Sequence, residues 1–246
     1  MNIVITMAGL GSRFKKAGCK VPKYMIEAHG KTCFEWSMLS LSGLSGSASK
    51  YIFIVRKEDD ARGFIAQTCR ELGINHYEVI EIDYLTQGQA ATAMLASRYW
   101  DKSEELLIYN IDTYVEPYRM NSKERAGDGF IPCFNAPGDR WSFVRTDAEG
   151  RAIEVKEKTR ISDNCTLGAY FFKSCGLYET LYNEYYSSSE HMEKGEKYVA
   201  PLYNYLIQKG GTVYISMVDS DKVHVLGTPE ELELFIHSYV PAEAAL

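Results

Sequence analysis

Several things are scarce in this sequence, and each scarcity removes a class of function. No stretch approaches the ~20 apolar residues of a membrane span, so no membrane partner is expected. The apolar run at residues 3–5 is short and lacks a basic n-region, so no signal peptide is expected and the cytoplasm is the expected compartment. Basic charge is not in excess: Lys and Arg number 27 against 33 Asp and Glu, a net charge of −6. That balance excludes the basic footprint of a non-specific nucleic-acid binder. Six cysteines are scattered at Cys19, Cys33, Cys69, Cys133, Cys165 and Cys175. None forms a Cys-x-x-Cys pair, which argues against zinc and dithiol redox sites. His29 and His224 stand without ligand spacing to another histidine and read as structural. Cys165 and Cys175 have no base near them in sequence and rank low as nucleophiles.

What remains suits an ordinary core, with 46% hydrophobic and 24% charged residues in 246. Apolar runs at 3–5, 51–55, 77–82 and 106–111 predict strands. Helical patterns at 32–41, 59–72 and 90–100 alternate with them. Such alternation predicts an α/β fold with an open, mostly parallel central sheet flanked by helices. The second half reads differently, with strands at 129–134, 142–145, 152–157, 166–173 and 212–218. Helices are expected at 176–185 and 197–209. A last one runs through Tyr239, with Thr228 as N-cap, Pro229 in the first helical position and Glu231 in the third. No repeat or clear linker appears. Residues 1–246 are therefore expected as a single domain in two halves, 1–120 and 121–246, the second a smaller β lobe grown on the same sheet.

The first strand runs into Met7, Ala8, Gly9, Leu10, Gly11, Ser12 and Arg13. Glycines there allow a tight turn and close approach of backbone N–H groups to a ligand. Arg13 and Lys23 add cations, so the stretch suits a polyphosphate. It is not a dinucleotide fingerprint, since Phe14 stands where the third glycine belongs, nor a P-loop, which needs Gly-Lys-Ser/Thr. The alternative is a strand-to-helix turn with exposed lysines.

Asp112 follows the fourth strand, where a carboxylate can hold Mg²⁺ against phosphates; the alternative is a turn aspartate. Gln87 and Gln89 flank Gly88 at a helix start, placed to read a base edge or merely to cap. Glu157-Lys158 offers a lysine for a second phosphate, or a solvated ion pair. Gly168 admits a ligand or makes a bulge. The loop, the Gln87-Gly88 turn and Asp112 all fall at strand carboxyl ends, where open sheets bind ligands.

Together these stretches resemble one family. Met7 to Phe14 with Pro22-Lys23 is similar to the signature of sugar-phosphate nucleotidyltransferases (NDP-sugar pyrophosphorylases), in particular short bacterial members of capsule and surface-polysaccharide synthesis. Gln87-Gly88-Gln89-Ala90-Ala91 resembles their base-recognition turn, Asp112 their metal aspartate, and Glu157-Lys158 with Gly168-Ala169-Tyr170-Phe171 their acceptor segment. Gly227-Thr228-Pro229-Glu230-Glu231-Leu232 resembles their closing helix.

The resemblance implies a Rossmann-like nucleotidyltransferase fold with an acceptor-binding lobe. It also implies transfer of NMP from an NTP, CTP or UTP favoured, to a phosphorylated sugar or small metabolite, with release of pyrophosphate. Met7 to Arg13, Lys23, Gln87 and Gly88 would hold the nucleotide. Asp112, Glu157, Lys158 and Gly168 would hold the acceptor, and Asp112 would hold Mg²⁺. Arg13, Lys23, Asp112 and Lys158 would carry catalysis. The oligomeric state is left open. A glycosyltransferase and a non-catalytic nucleotide-binding regulator are the competing readings.

The sequence departs from the pattern in three places. Val225 stands where many members place a second metal aspartate, leaving Asp219 or Asp221 to replace it or the metal to rest on Asp112 and phosphates alone. Ile111 precedes Asp112 where glycine is usual. Leu10 stands where many close members have arginine.

Overall fold

Ile3, Val4 and Ile5 carry no polar side chain, and all three are fully buried. A strand covered on both faces belongs inside a parallel sheet. A computed structural model describes residues 1–120 and 126–241; the expected boundary between halves abuts residues outside that set. In chain order the first half contains β1 (Asn2–Thr6), α1 (Ser12–Lys16), β2 (Glu27–Ala28), β3 (Lys31–Thr32), α2 (Cys33–Leu39), β4 (Lys50–Arg56), α3 (Arg62–Glu71), β5 (Tyr77–Ile82), α4 (Gln89–Met94), β6 (Leu106–Asn110) and β7 (Thr113–Val115). The second contains β8 (Gly129–Asn135), β9 (Ser142–Thr146), β10 (Ala152–Glu157), β11 (Asn164–Thr166), β12 (Ala169–Phe172), α5 (Cys175–Tyr185), α6 (Ala200–Gln208), β13 (Val213–Met217), β14 (Val223–Val225) and α7 (Pro229–Ser238).

One mixed sheet crosses both halves in the order β10-β9-β11-β8-β12-β6-β1-β4-β5, with β13 beside β8. β1 pairs in parallel with β4 and β6, and β5 in parallel with β4. β12 joins the halves, antiparallel to both β6 and β8. Side chains alternate across each strand, so the sheet has two cores. Val4, Ile52, Ile54 and Ile108 face one; Ile3, Ile5, Phe53 and Tyr109 face the other. Each such side chain contributes roughly 1.5–3 kcal/mol on burial. A third cluster of Phe14, Trp36, Tyr114, Leu226 and Phe235 seats α7 against α1, α2 and β7.

Several helices are shorter than the periodicity predicts, for local reasons. α2 begins at Cys33 because Thr32 and Glu35 close a capping box. α3 begins only at Arg62, after a 3₁₀ turn over Lys57–Asp59. α4 tightens into 3₁₀ geometry over Leu95–Arg98. α6 starts at Ala200, because Lys197 is held elsewhere: its N–H donates to the Gln87 carbonyl at 2.6 Å and its carbonyl accepts from Ala90 at 2.9 Å. The strand expected at 166–173 breaks at Gly168, whose φ of +85° interrupts it between β11 and β12.

No helix among the described residues is long and apolar enough to cross a membrane. All six cysteines are free, and all but Cys19 are buried. Burial pushes the Cys33, Cys69 and Cys175 thiols up to about 12, which makes them inert as nucleophiles.

Candidate active site

The parallel strands β1, β4, β5 and β6 all deliver their carboxyl ends to one edge of the sheet. A cleft of about 600 Å³ lies there. Ala8, Gly9, Leu10 and Arg13 line one end, Asp112 the floor, and Trp141, Glu157 and Tyr198 the far wall.

The loop after β1 leaves the sheet once the Met7 N–H has donated to the Ile54 carbonyl at 3.0 Å. Beyond it, the amides of Ala8 to Ser12 have no acceptor among the described residues. Gly9 carries no side chain, and nothing lies within 4 Å of where a Cβ would stand. Arg13 is exposed on α1 and has no ion-pair partner among the described residues. Open N–H groups and a free guanidinium at one cleft end make a receptor for an anion.

Asp112 sits between β6 and β7, pinned from two sides. Its carbonyl accepts from Leu226 N–H at 2.8 Å, and the preceding Ile111 carbonyl accepts from Ser37 Oγ at 2.9 Å. Lys23 Nζ donates to Asp112 Oδ2 at 2.7 Å. Burial alone would raise the Asp112 pKa, but the Lys23 charge and hydrogen bond hold it below the ordinary carboxylate range. Arg13 adds to that field.

At the far wall, Glu157 ends β10 and accepts a hydrogen bond from Ser142 Oγ. Lys158 follows it with φ +51°. Its Nζ donates to Tyr198 Oη at 2.9 Å and lies 3.3 Å from Glu157 Oε1. Burial pulls the Lys158 pKa down, but Tyr198 and Glu157 hold the ammonium above the ordinary lysine range. Tyr170 and Trp141 complete an aromatic and acidic wall.

The cleft thus collects Ala8, Gly9, Leu10, Arg13, Gly88, Asp112, Glu157 and Gly168 from the sequence expectations. The rest stand back. Met7 is a core residue. Gly11 caps α1 and Ser12 begins it, neither on the cleft wall. Lys23 and Lys158 do not line the cleft but pair with residues that do, Lys23 with Asp112 and Lys158 with Glu157 and Tyr198. Of the two glutamines, Gln89 faces the cleft, with its amide donating to Asn110 Oδ1; Gln87 points out and lends its carbonyl to Lys197. Neither Asp219 nor Asp221 lines the cleft. Asp221 pairs instead with Lys222, so neither replaces the aspartate missing at Val225. Sequence reasoning missed Arg140, Tyr198 and Asn110 as wall residues. Only Asn110, two before Asp112, stood in a stretch already singled out.

The structure has relatives. No protein-family model matches the chain, and no curated protein does. Among solved structures, a nucleoside-diphosphate-sugar pyrophosphorylase from Vibrio cholerae RC9 is 36% identical, covers 96% of this chain and 100% of its own, and superposes with a TM-score of 0.89. The inositol-1-phosphate CTP transferase of T. maritima is 15% identical over 97% of both chains, with a TM-score of 0.74. The CTP:phosphocholine cytidylyltransferase of Streptococcus pneumoniae is 13% identical over 96% of this chain and 97% of its own, with a TM-score of 0.73. The last two share the fold alone; the first, at 36% identity over nearly the whole of both chains, shows that the chain belongs to the nucleoside-diphosphate-sugar pyrophosphorylase family of nucleotidyltransferases.

Proposed function

We propose that the protein transfers NMP from an NTP, CTP or UTP, to a phosphorylated sugar or small metabolite, releasing pyrophosphate. On the family resemblance the product is an activated precursor for surface polysaccharide. One observation carries the reading. A single cleft joins an anion-receiving loop, a lysine-aspartate pair at its floor and a separate polar and aromatic wall.

In this reading the triphosphate lies along Gly9 to Arg13 and the acceptor lies against Glu157, Gly168 and Tyr198. A phosphate oxygen of the acceptor attacks the α-phosphorus, a new P–O bond forms, and the bond to the β-phosphate oxygen breaks in line. The protein's work is positioning and charge neutralisation. Arg13 and the loop amides stabilise the departing β,γ-phosphates. Lys23, paired with Asp112, neutralises charge near the α-phosphate. Lys158 sets Tyr198 and Glu157 against the acceptor.

Among the described residues no three His, Cys, Asp or Glu side chains cluster to cage a metal. Asp112 nevertheless fits Mg²⁺, which binds through one or two carboxylates and completes its shell with water and substrate phosphates. Held by Asp112, Mg²⁺ would supply neutralisation of phosphate charge. A panel of the four NTPs with hexose, polyol and aminoalkyl phosphates, read by pyrophosphate release, tests the proposal. Release confined to one NTP and one acceptor class is expected; no release from any pairing overturns it.

A further inference from the structure

The family pattern places a second carboxylate at position 225, and this chain has Val225 there. The structure shows where another carboxylate enters. Gly227 stands between two side chains: a Cβ on it would meet Glu231 Oε2 at 3.3 Å and Asp112 Oδ2 at 3.4 Å. Two carboxylate oxygens therefore flank one small space at the cleft floor. Glu231 lies at the third position of α7 and could have closed a capping box, as Glu35 does with Thr32. It does not. Thr228 accepts from the Glu231 N–H, while the Glu231 carboxylate turns to the cleft and pairs with Arg140. Its Oε1 is buried with no hydrogen-bond partner among the described residues, held by the charge of Arg140 alone.

Each carboxylate is thus neutralised by a cation from a different loop. Lys23 comes from the nucleotide side and Arg140 from the loop between β8 and β9. Two carboxylates facing one space repel each other unless cations intervene. A hard divalent cation satisfies both, and Mg²⁺ sites that use one or two carboxylates with phosphate oxygens have this composition. We propose that Glu231 is the second metal-ligating carboxylate of this chain, standing in for the side chain that Val225 lacks. Lys23 and Arg140 hold the two carboxylates until metal and triphosphate arrive, and then turn to phosphate oxygens. The inference rests on the nucleotidyl-transfer reading.

Mn²⁺ binding to the full chain, followed by the electron paramagnetic resonance of the free ion, tests it without turnover. The titration is run with the α,β-methylene analogues of CTP and UTP and with Mn²⁺ alone. Glu231→Gln keeps the backbone cap and is expected to weaken Mn²⁺ at least tenfold, with metal-free analogue affinity changed less than threefold. Adding Val225→Asp to that variant is expected to restore Mn²⁺ binding to within about threefold, which a misfolded variant could not show. Arg140→Ala is expected to tighten Mn²⁺ severalfold, because a competing cation is gone. Mn²⁺ binding by Glu231→Gln equal to that of the unaltered protein overturns the inference. So does weakening by Arg140→Ala as large as by Glu231→Gln, which would make the pair a structural strap. Absence of analogue binding counts against the nucleotidyl-transfer reading, and the titration with Mn²⁺ alone still decides on Glu231.

Discussion

Two glycines in the cleft allow fold and function to be separated by one added methyl group. Gly88 has φ 102° and ψ 179°, a region that only glycine occupies without strain. A Cβ there would meet the Lys197 carbonyl oxygen at 2.7 Å, the Lys197 nitrogen at 2.8 Å and Glu196 Cβ at 3.2 Å. Two of these atoms are backbone, so the collision cannot be relieved by a rotamer change. Backbone strain costs about 1–3 kcal/mol and overpacking about 1–3 kcal/mol more, so Gly88→Ala should lose roughly 2–6 kcal/mol. At about 2–4 °C per kcal/mol for a chain of this size, the melting temperature should fall by roughly 4–24 °C.

Gly9→Ala meets nothing within 4 Å and is expected to leave the melting temperature within about 2 °C. The methyl would occupy the space assigned to the triphosphate, so kcat/KM for the NTP should fall at least tenfold in a well-folded protein. Thermal melts by circular dichroism and steady-state pyrophosphate release give both readouts. An unchanged melt for Gly88→Ala would refute the packing argument. Unchanged kcat/KM for Gly9→Ala would refute the placement of the triphosphate.

Other expectations are narrower. Arg13→Ala and Asp112→Ala should each lower turnover by at least ~10²-fold, the scale of losing one preorganised charge; near-normal turnover in either removes that residue from the mechanism. Lys158→Ala should raise KM for the acceptor more than KM for the NTP, since the Lys158 ammonium pairs with Glu157 and donates to Tyr198, both at the far wall. Equal effects on both would place it elsewhere. Burial lowers the His224 pKa, with Glu116 pulling weakly the other way. The unfolded chain therefore binds the proton first. Stability should be full above about pH 6.5 and fall as pH drops from there through the lowered folded value. Urea melts at several pH values should show that slope, and His224→Phe should flatten it.

Where function comes from strand ends, the sequence shows it. The apolar runs at 3–5 and 106–111 read as covered strands, and the Gly9 loop and Asp112 follow from where those strands stop. The far wall was harder to read. Arg140 and Tyr198 reach the cleft from loops outside the strands and helices, and no periodicity reports where such residues point. Glu231 was legible as a helix-start residue, but its carboxylate abandons that role for Arg140, a choice set by tertiary contacts. The over-long helix read over 197–209 has the same origin. Lys197 to Val199 have helical neighbours, but the backbone of Lys197 is claimed by a turn more than a hundred residues earlier.

That clasp between Lys197 and the turn at Gln87 to Ala90 is made by main-chain groups. Any residue except proline can supply the N–H at 197, and any residue at all the carbonyl at 87. Gly88 alone is constrained, by the closeness of the two backbones. Side chains on either side of the clasp can therefore drift while the wall they stand on keeps its shape. The residues that line the cleft can change without rebuilding how its wall is held together.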